Sequence, residues 1–192
     1  TITSFTFGNE VESIPAGLCK GMNKLSDITI PNSVTSIGED AFFDCSGLTS
    51  VTIGKNVKNI GDGAFYQCSS LTSVTIPDSV TSIGNIAFYN CSALTSISIG
   101  DKVESIGRGA FNSCSSLTSV TIPNSVISIG EDAFKSCKGL TTVTIGEKVE
   151  SIHRWAFTGC EGLTSVVWNA RNCNDYSSYD DPFSSNITSF IF

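Results

Sequence analysis

The chain carries little charge and almost no histidine. Lys and Arg together number 11 in 192 residues, charged residues make up 15%, and the net charge is −7. A nucleic-acid partner calls for a stripe of Lys and Arg that neutralises phosphates, and none occurs, so nucleic acid is excluded. The only imidazole, His153, stands beside Arg154 and Trp155 at a position filled elsewhere by Gly38, Gly61, Gly84, Gly107 and Gly130. Without a suitably placed partner it cannot build a nucleophile–base pair, and it reads as a surface-turn residue. No apolar run approaches the roughly 18 residues of a membrane span. No signal peptide opens the chain, which starts inside a repeat, so that absence carries no information.

What the chain has in abundance is repetition. Leu25, Leu48, Leu71, Leu94, Leu117, Leu140 and Leu163 are spaced by 23 residues. Three positions after each comes Ile28, Val51, Val74, Ile97, Val120, Val143 or Val166, and five after comes Ile30, Ile53, Ile76, Ile99, Ile122, Ile145 or Trp168. A Val series from Val34 to Val149, an Ile series from Ile37 to Ile152, and an Ala-Phe pair from Ala41-Phe42 to Ala156-Phe157 share the period. Self-similarity of this kind marks a solenoid, in which each repeat buries its apolar face only against its neighbours.

Within each repeat, Leu-Thr-Ser-Val-Thr-Ile alternates with period 2, which predicts a short strand with Val and Ile inward and Ser and Thr outward. A second extended piece, such as residues 57–60, is expected on the far side. Gly-x-x-Ala-Phe-x-x-Cys then closes the rung as an irregular or 3₁₀ turn, too short for a stable helix. Gly61-x-Gly63 and Gly107-x-Gly109 look like fragments of a phosphate loop, but they recur at this turn with no strand-turn-helix around them, and read as turns.

Eight cysteines would ordinarily suggest disulfides, yet Cys45, Cys68, Cys91, Cys114, Cys137 and Cys160 share one repeat position. They are expected to form a ladder of buried thiols roughly 4.8 Å apart. Distance alone does not exclude disulfides between rungs, but stacked equivalents point the same way. Cys19 and Cys173 fall outside the ladder and are expected to be the reactive thiols.

The residue ending each strand alternates as Gly8, Pro31, Gly54, Pro77, Gly100, Pro123, Gly146. The unit is therefore two rungs, and the Gly rungs carry most of the turn charges. Avoidance of stacked like charges and recent duplication of a 46-residue unit both account for this.

Residues 2–7 align with residues 25–30, and the first rung is degenerate, with Leu18-Cys19 in place of Ala-Phe and Met22 at the Cys position. The rung of residues 163–186 departs after Trp168, and residues 187–192 restart the pattern as Ile-Thr-Ser-Phe-Ile-Phe, matching Ile-Thr-Ser-Phe-Thr-Phe at residues 2–7. That match predicts a higher-order repeat of about 185 residues (187 minus 2) within a longer protein. Uncapped strands at both ends also predict end-to-end self-association. Residues 1–192 read as a single domain of eight repeat intervals and nine strands on one face, roughly 40 Å long at one strand spacing per rung.

The block Leu-Thr-Ser-Val-Thr-Ile-Pro-x-Ser-Val-x-Ser-Ile-Gly-x-x-Ala-Phe-x-x-Cys resembles the BspA-like, or Treponema pallidum-type, leucine-rich repeat family, over residues 2 to about 168. The Asn ladder of other leucine-rich repeats is missing, its place taken by Ser33, Asn56, Ser79, Lys102, Ser125 and Lys148. The resemblance implies a right-handed, curved solenoid with a parallel sheet on its concave face and little or no helix. It also implies a protein of host-associated bacteria or mucosal protists, at the cell surface or outside the cell, adhering to host or extracellular-matrix proteins; the want of a convergent polar cluster in the sequence reads as non-enzymatic, with no cofactor.

Two regions are candidate contacts. The concave face would present Thr29, Ser50, Thr52, Ser73, Thr75, Ser96, Ser98, Ser119, Thr121, Thr142 and Thr144. Hydroxyls there suit exposed strands as such, and equally suit an adhesive surface whose weak sites add up along an array. No Trp, Tyr or Arg, the residues favoured at binding hot spots, stands among them. The insertion contributes Asp175, Tyr176, Tyr179, Asp180 and Asp181 as a second candidate contact. A solvated loop, a partner contact and an oxygen-ligand Ca²⁺ site are the readings open for it.

Overall fold

The structure is a computed structural model that describes residues 2–173, 182–183 and 186–192. Its strands, numbered in chain order, are β1 (Ser13–Ile14), β2 (Asp27–Thr29), β3 (Ser36–Ile37), β4 (Ser50–Thr52), β5 (Asn59–Ile60), β6 (Ser73–Thr75), β7 (Ser82–Ile83), β8 (Ser96–Ser98), β9 (Ser105–Ile106), β10 (Ser119–Thr121), β11 (Ser128–Ile129), β12 (Thr142–Ile145), β13 (Ser151–Ile152), β14 (Ser165–Trp168) and β15 (Ser189–Ile191). No described residue is helical. The odd-numbered strands β1 to β13 form one seven-stranded sheet, and the remainder form two four-stranded sheets, β2-β4-β6-β8 and β10-β12-β14-β15. All pairings are parallel, and partners such as Asp27↔Ser50 and Ser36↔Asn59 lie one 23-residue turn apart. The chain is thus a parallel β-solenoid of about seven turns, with a narrow face of two-residue strands and a broad face of longer ones.

The repeat positions become columns inside the coil. Leu48, Val57, Ala64, Phe65 and Cys68 are fully buried, as are their counterparts in the regular rungs, and among the described residues no polar or charged side chain is buried. Phe42, Phe65, Phe88, Phe111, Phe134 and Phe157 stack with ring centroids 5.1–5.2 Å apart. At the start of the column Phe7 meets Phe42 edge-on (6.5 Å, 87°), and at its end Phe183 stacks on Phe157 (5.1 Å, 6°). Each terminal ring is thereby covered by a Phe supplied from outside the regular position.

The Ala-Phe turn stays non-helical because two residues adopt positive φ in each of seven successive rungs. One is Gly17, Asp40, Gly63, Ile86, Gly109, Asp132 or Trp155, and the other is Gly21, Asp44, Gln67, Asn90, Ser113, Ser136 or Gly159. Two left-handed residues four apart bend the backbone out of any helix. The carbonyls and amides freed this way bond between rungs instead, as in Phe42 N–H to Ala64 O and Asp44 N–H to Tyr66 O, both 2.7 Å.

The Gly/Pro alternation has a mechanical meaning that the sequence does not announce. From a Pro rung to the following Gly rung the broad face is tightly joined. Ile30, Ile76 and Ile122 donate to Thr52, Ser98 and Thr144 at 2.8 Å, and the side chains of Asn32, Asp78 and Asn124 accept from the amides of Lys55, Asp101 and Glu147. Gly54, Gly100 and Gly146 lie so close to the preceding Pro31, Pro77 and Pro123 carbonyls that a Cβ would stand 2.3–2.5 Å from the oxygen, which excludes any larger residue.

From a Gly rung to the next Pro rung the sheet comes apart. β4 and β6 pair only at Ser50↔Ser73, β8 and β10 belong to separate sheets, and among the described residues Ile53 and Ile99 lack the bond that Ile30 makes. Proline is the cause: it has no N–H to give to the carbonyl of Ile53 or Ile99, and its ring occupies the space that the N–H would have crossed. The chain contains its own control at residue 169, where Asn replaces the expected proline. Asn169 N–H donates to Ile145 O at 3.1 Å, and β12 pairs with β14 over four residues.

The same rule corrects one expectation. Residues 2–7 form no strand, so among the described residues the broad face has eight strands rather than nine. They end at Gly8 and lie against the rung that carries Pro31, a junction of the open kind. A second correction concerns Cys19, which is fully buried and free, at the position occupied by Phe in later rungs. Cys173 is half-buried.

Candidate interaction surfaces

The broad face carries the hydroxyls in two columns. Thr29, Ser50, Thr52, Ser73, Thr75, Ser96, Ser98, Ser119 and Thr121 are exposed, while Thr142 and Thr144 are half-buried. The neighbouring threonines behave differently: Thr49, Thr95 and Thr141 donate through Oγ1 to the preceding rung's carbonyls at 2.8–3.1 Å, tying turn to turn. Among the described residues none of the candidate hydroxyls has an intramolecular side-chain partner, so each keeps its donor and both acceptor sites for water or a ligand. Asp27 is the sole charge within these strands.

That face is not uniform. At the open junctions Val51 and Ile97 are half-buried, whereas Val143, at the closed junction, is fully buried. Shallow apolar slits between flanking hydroxyls therefore recur every two rungs, or roughly 9.6 Å at one strand spacing per rung.

A second surface, on the Ala-Phe turns, escaped the sequence reading. Phe43, Tyr66 and Tyr89 are half-buried and stack at 4.6 and 4.9 Å, with Lys20 over the outer face of Phe43 at 4.1 Å. Farther along the turns, Trp155 lies between Arg154 (4.6 Å) and Lys135 (5.1 Å). The signal in the sequence is the residue after each Ala-Phe pair, which is aromatic in three successive rungs, Phe43, Tyr66 and Tyr89. Because the rings cover one another's faces, this column presents edges and phenol hydroxyls rather than an open stacking platform.

Neither surface converges titratable groups. His153 is exposed beside Arg154, the ion pairs such as Lys20–Asp40 (2.7 Å) are exposed, and no group of three metal-ligating side chains occurs among the described residues. The ladder thiols are withdrawn from chemistry: each donates to a carbonyl of the preceding rung, as Cys91 does to Phe65 O at 3.2 Å. Loss of hydration raises the Cys19 thiol to about 11 and the Cys45 and Cys114 thiols to about 12, and pushes Cys68 and Cys91 up as well. Cys137 is raised first by its hydrogen bond with Cys160 and then by burial. Asp175, Tyr176, Tyr179, Asp180 and Asp181 lie outside the described residues. No described helix is long and apolar enough to cross a membrane.

A family profile described as the BspA type leucine rich repeat region matches residues 1–118 and 104–192, in six copies. Solved structures with the same fold include a leucine-rich repeat protein of Treponema pallidum, 23% identical over 98% of this chain and 72% of that one, with a TM-score of 0.62. One from Eubacterium ventriosum is 20% identical over 100% and 73%, with a TM-score of 0.59. The pneumococcal vaccine antigen PcpA is 15% identical over 98% and 74%, with a TM-score of 0.58. No curated protein matches.

Proposed function

The chain belongs to the BspA type leucine-rich repeat family, and from that premise we propose that it is a non-enzymatic protein-interaction module, displayed at the cell surface or secreted, that adheres to host or extracellular-matrix proteins through its broad face. The observation that carries this reading is the pair of columns of exposed, intramolecularly unpartnered Ser and Thr hydroxyls. Each site is weak, and a regular array converts many weak contacts into avidity. The near absence of charge leaves the face free of long-range repulsion toward acidic or basic partners. A solenoid fold of packed apolar columns, with no convergent polar cluster among the described residues, supports a non-catalytic role.

A second reading, a passive stalk that holds another domain away from the envelope, is favoured by the lack of any Trp, Tyr or Arg among the exposed strand residues of the regular rungs. Surface-plasmon binding to immobilised fibronectin, fibrinogen and mucin separates the two. Adhesion predicts saturable binding that Thr52→Lys/Thr75→Lys abolishes; no binding, or equal binding by both proteins, refutes the adhesive face and leaves the stalk.

A further inference from the structure

The two kinds of junction on the broad face differ at more than the proline. Just before each broad strand a threonine donates to the preceding rung through both its amide and its hydroxyl. At the tight junctions Thr49, Thr95 and Thr141 make these bonds at 2.8–2.9 Å from nitrogen and 2.8–3.1 Å from Oγ1. At the open ones Thr72 reaches Thr49 O at 3.3 Å and Thr118 reaches Thr95 O at 3.4 Å, from both atoms, beyond the usual range of such bonds. Ile53 and Ile99 keep 9% and 8% exposure there, against 1% for Ile30, Ile76 and Ile122.

The rest of each rung ignores the alternation. On the narrow face Gly61, Gly84, Gly107 and Gly130 donate to the preceding rung at 2.9 Å, whichever junction they cross. On the turn the amides of Phe42, Phe65, Phe88 and Phe111 donate to the next rung at 2.7 Å throughout, and the rings stay 5.1–5.2 Å apart. Past the proline, Ser79 Oγ and Ser125 Oγ rejoin the open junctions by donating to Val57 O and Val103 O at 2.6 and 2.7 Å. Each open junction is therefore a wedge, slack along one strand and held around the rest of the coil.

We propose that these wedges are hinges. The solenoid moves as rigid two-rung blocks, starting at Leu25, Leu71 and Leu117, that tilt against one another about the narrow face. The pivot is the seven-stranded sheet of β1 to β13, which no junction interrupts, and the moving edge is the broad face, where β8 and β10 already lie in separate sheets. Few backbone bonds resist the tilt, because proline has removed the donors that would make them. Tilting changes the curvature of the broad face in steps of 46 residues (71 minus 25) and widens or narrows the slits over Val51 and Ile97. The face thereby adjusts to what it lies against or to tension along the coil, a device that does not depend on whether it adheres to host proteins.

Double electron–electron resonance on the full chain, in a Cys173→Ser background, reads the tilt as a spread of distances. One pair of spin labels, at Thr29→Cys/Thr121→Cys, stands on the broad face, and another, at Thr35→Cys/Ile127→Cys, beside the narrow strands. All four positions are exposed, and both pairs span the same 92 residues' worth of coil (121 minus 29, 127 minus 35), with two tight and two open junctions. The broad-face distribution should be about two-fold wider than the narrow-face one, since only that side is slack. Pro77→Asn/Pro123→Asn, which copies the native Asn169, should narrow it to the narrow-face width with circular dichroism unchanged. Equal widths in the chain with its native prolines overturn the hinge, whatever the variant does. A broad-face width left unchanged by the two asparagines, in a variant with native circular dichroism, overturns it as well.

Discussion

Substituting Asn169 by proline tests whether proline alone opens the junctions of the broad face. In the native chain Asn169 N–H donates to the carbonyl of Ile145 at 3.1 Å, β12 and β14 pair over four residues, and Val143 and Ile145 are fully buried. Proline removes the donor and places a ring in the gap, leaving the carbonyl of buried Ile145 without its partner. An unsatisfied buried acceptor costs about 1–3 kcal/mol. Against this, proline restricts the unfolded chain by about 0.4–1 kcal/mol. The expected net loss is about 1–2 kcal/mol, and it should be local, since a solenoid's stability is a sum of terms between neighbouring turns.

Amide hydrogen exchange followed by NMR reads the junction directly. Ile145 pairs with Trp168 in the native ladder, whereas its counterparts Ile53 and Ile99 face open junctions. In Asn169→Pro the Ile145 amide should therefore exchange as fast as those of Ile53 and Ile99. The reciprocal change, Pro123→Asn, should slow exchange at Ile99 and bury Ile97. If Ile145 stays protected and the urea midpoint does not move, proline is not what parts the strands, and the account of the two-rung unit fails.

The thiol ladder and the turn give two more expectations. The ladder thiols and Cys19 should react slowly with a disulfide reagent in native protein, with Cys173 modified first; rapid labelling of Cys91 refutes the buried ladder. The raised folded values of Cys19, Cys45, Cys68, Cys91, Cys114 and Cys137 also set a pH dependence. Below the ordinary thiol value near 8.5, both folded and unfolded states hold the proton and stability is flat, but above it the unfolded chain ionises first. Stability should then fall by up to about 1.4 kcal/mol per pH unit for each such thiol, until the folded thiols titrate at about 11 for Cys19 and about 12 for Cys45 and Cys114. Urea titrations at pH 8 and 9.5 check the sign, and unchanged midpoints contradict it. In the turn, Ile86 is β-branched at φ 47° where neighbouring rungs have Gly63 and Gly109. Left-handed backbone costs a non-glycine residue about 1–2 kcal/mol, so Ile86→Asn should raise stability by about 0.5–1 kcal/mol; a drop in the urea midpoint shows that Ile86 packing outweighs the strain.

The columns were legible because a solenoid enforces them by identity. Leu48, Phe65 and Cys68 recur at fixed spacing, and any one rung dictates the inside and outside of the next. The Thr and Ser positions were legible for the same reason, since period 2 assigns them to the outer face. Properties of junctions, rather than of rungs, were not visible in the repeat. Gly54 and Pro77 each look like a turn residue when taken alone. Only the stacked structure shows that Gly54 admits the Pro31 carbonyl while Pro77 denies a donor to Ile53. The missing first strand, the half-buried Val51 and the full pairing at Asn169 all follow from that single asymmetry.

Cys19 escaped for a related reason. Aligned by residue type it is a ladder cysteine out of place, but aligned by turn it stands 23 residues before Phe42, at the base of the ring column. A side chain smaller than Phe leaves space there, and Phe7 fills it from residues 2–7, which the Pro31 junction has released from the sheet. At the other end Phe183, from within the insertion, fills the corresponding space over Phe157. A column of stacked rings loses contacts wherever it stops, because its last ring has partner atoms on one side only. Both irregular segments therefore serve the same physical need, and a rule that matched repeats by sequence alone would discard them as decay.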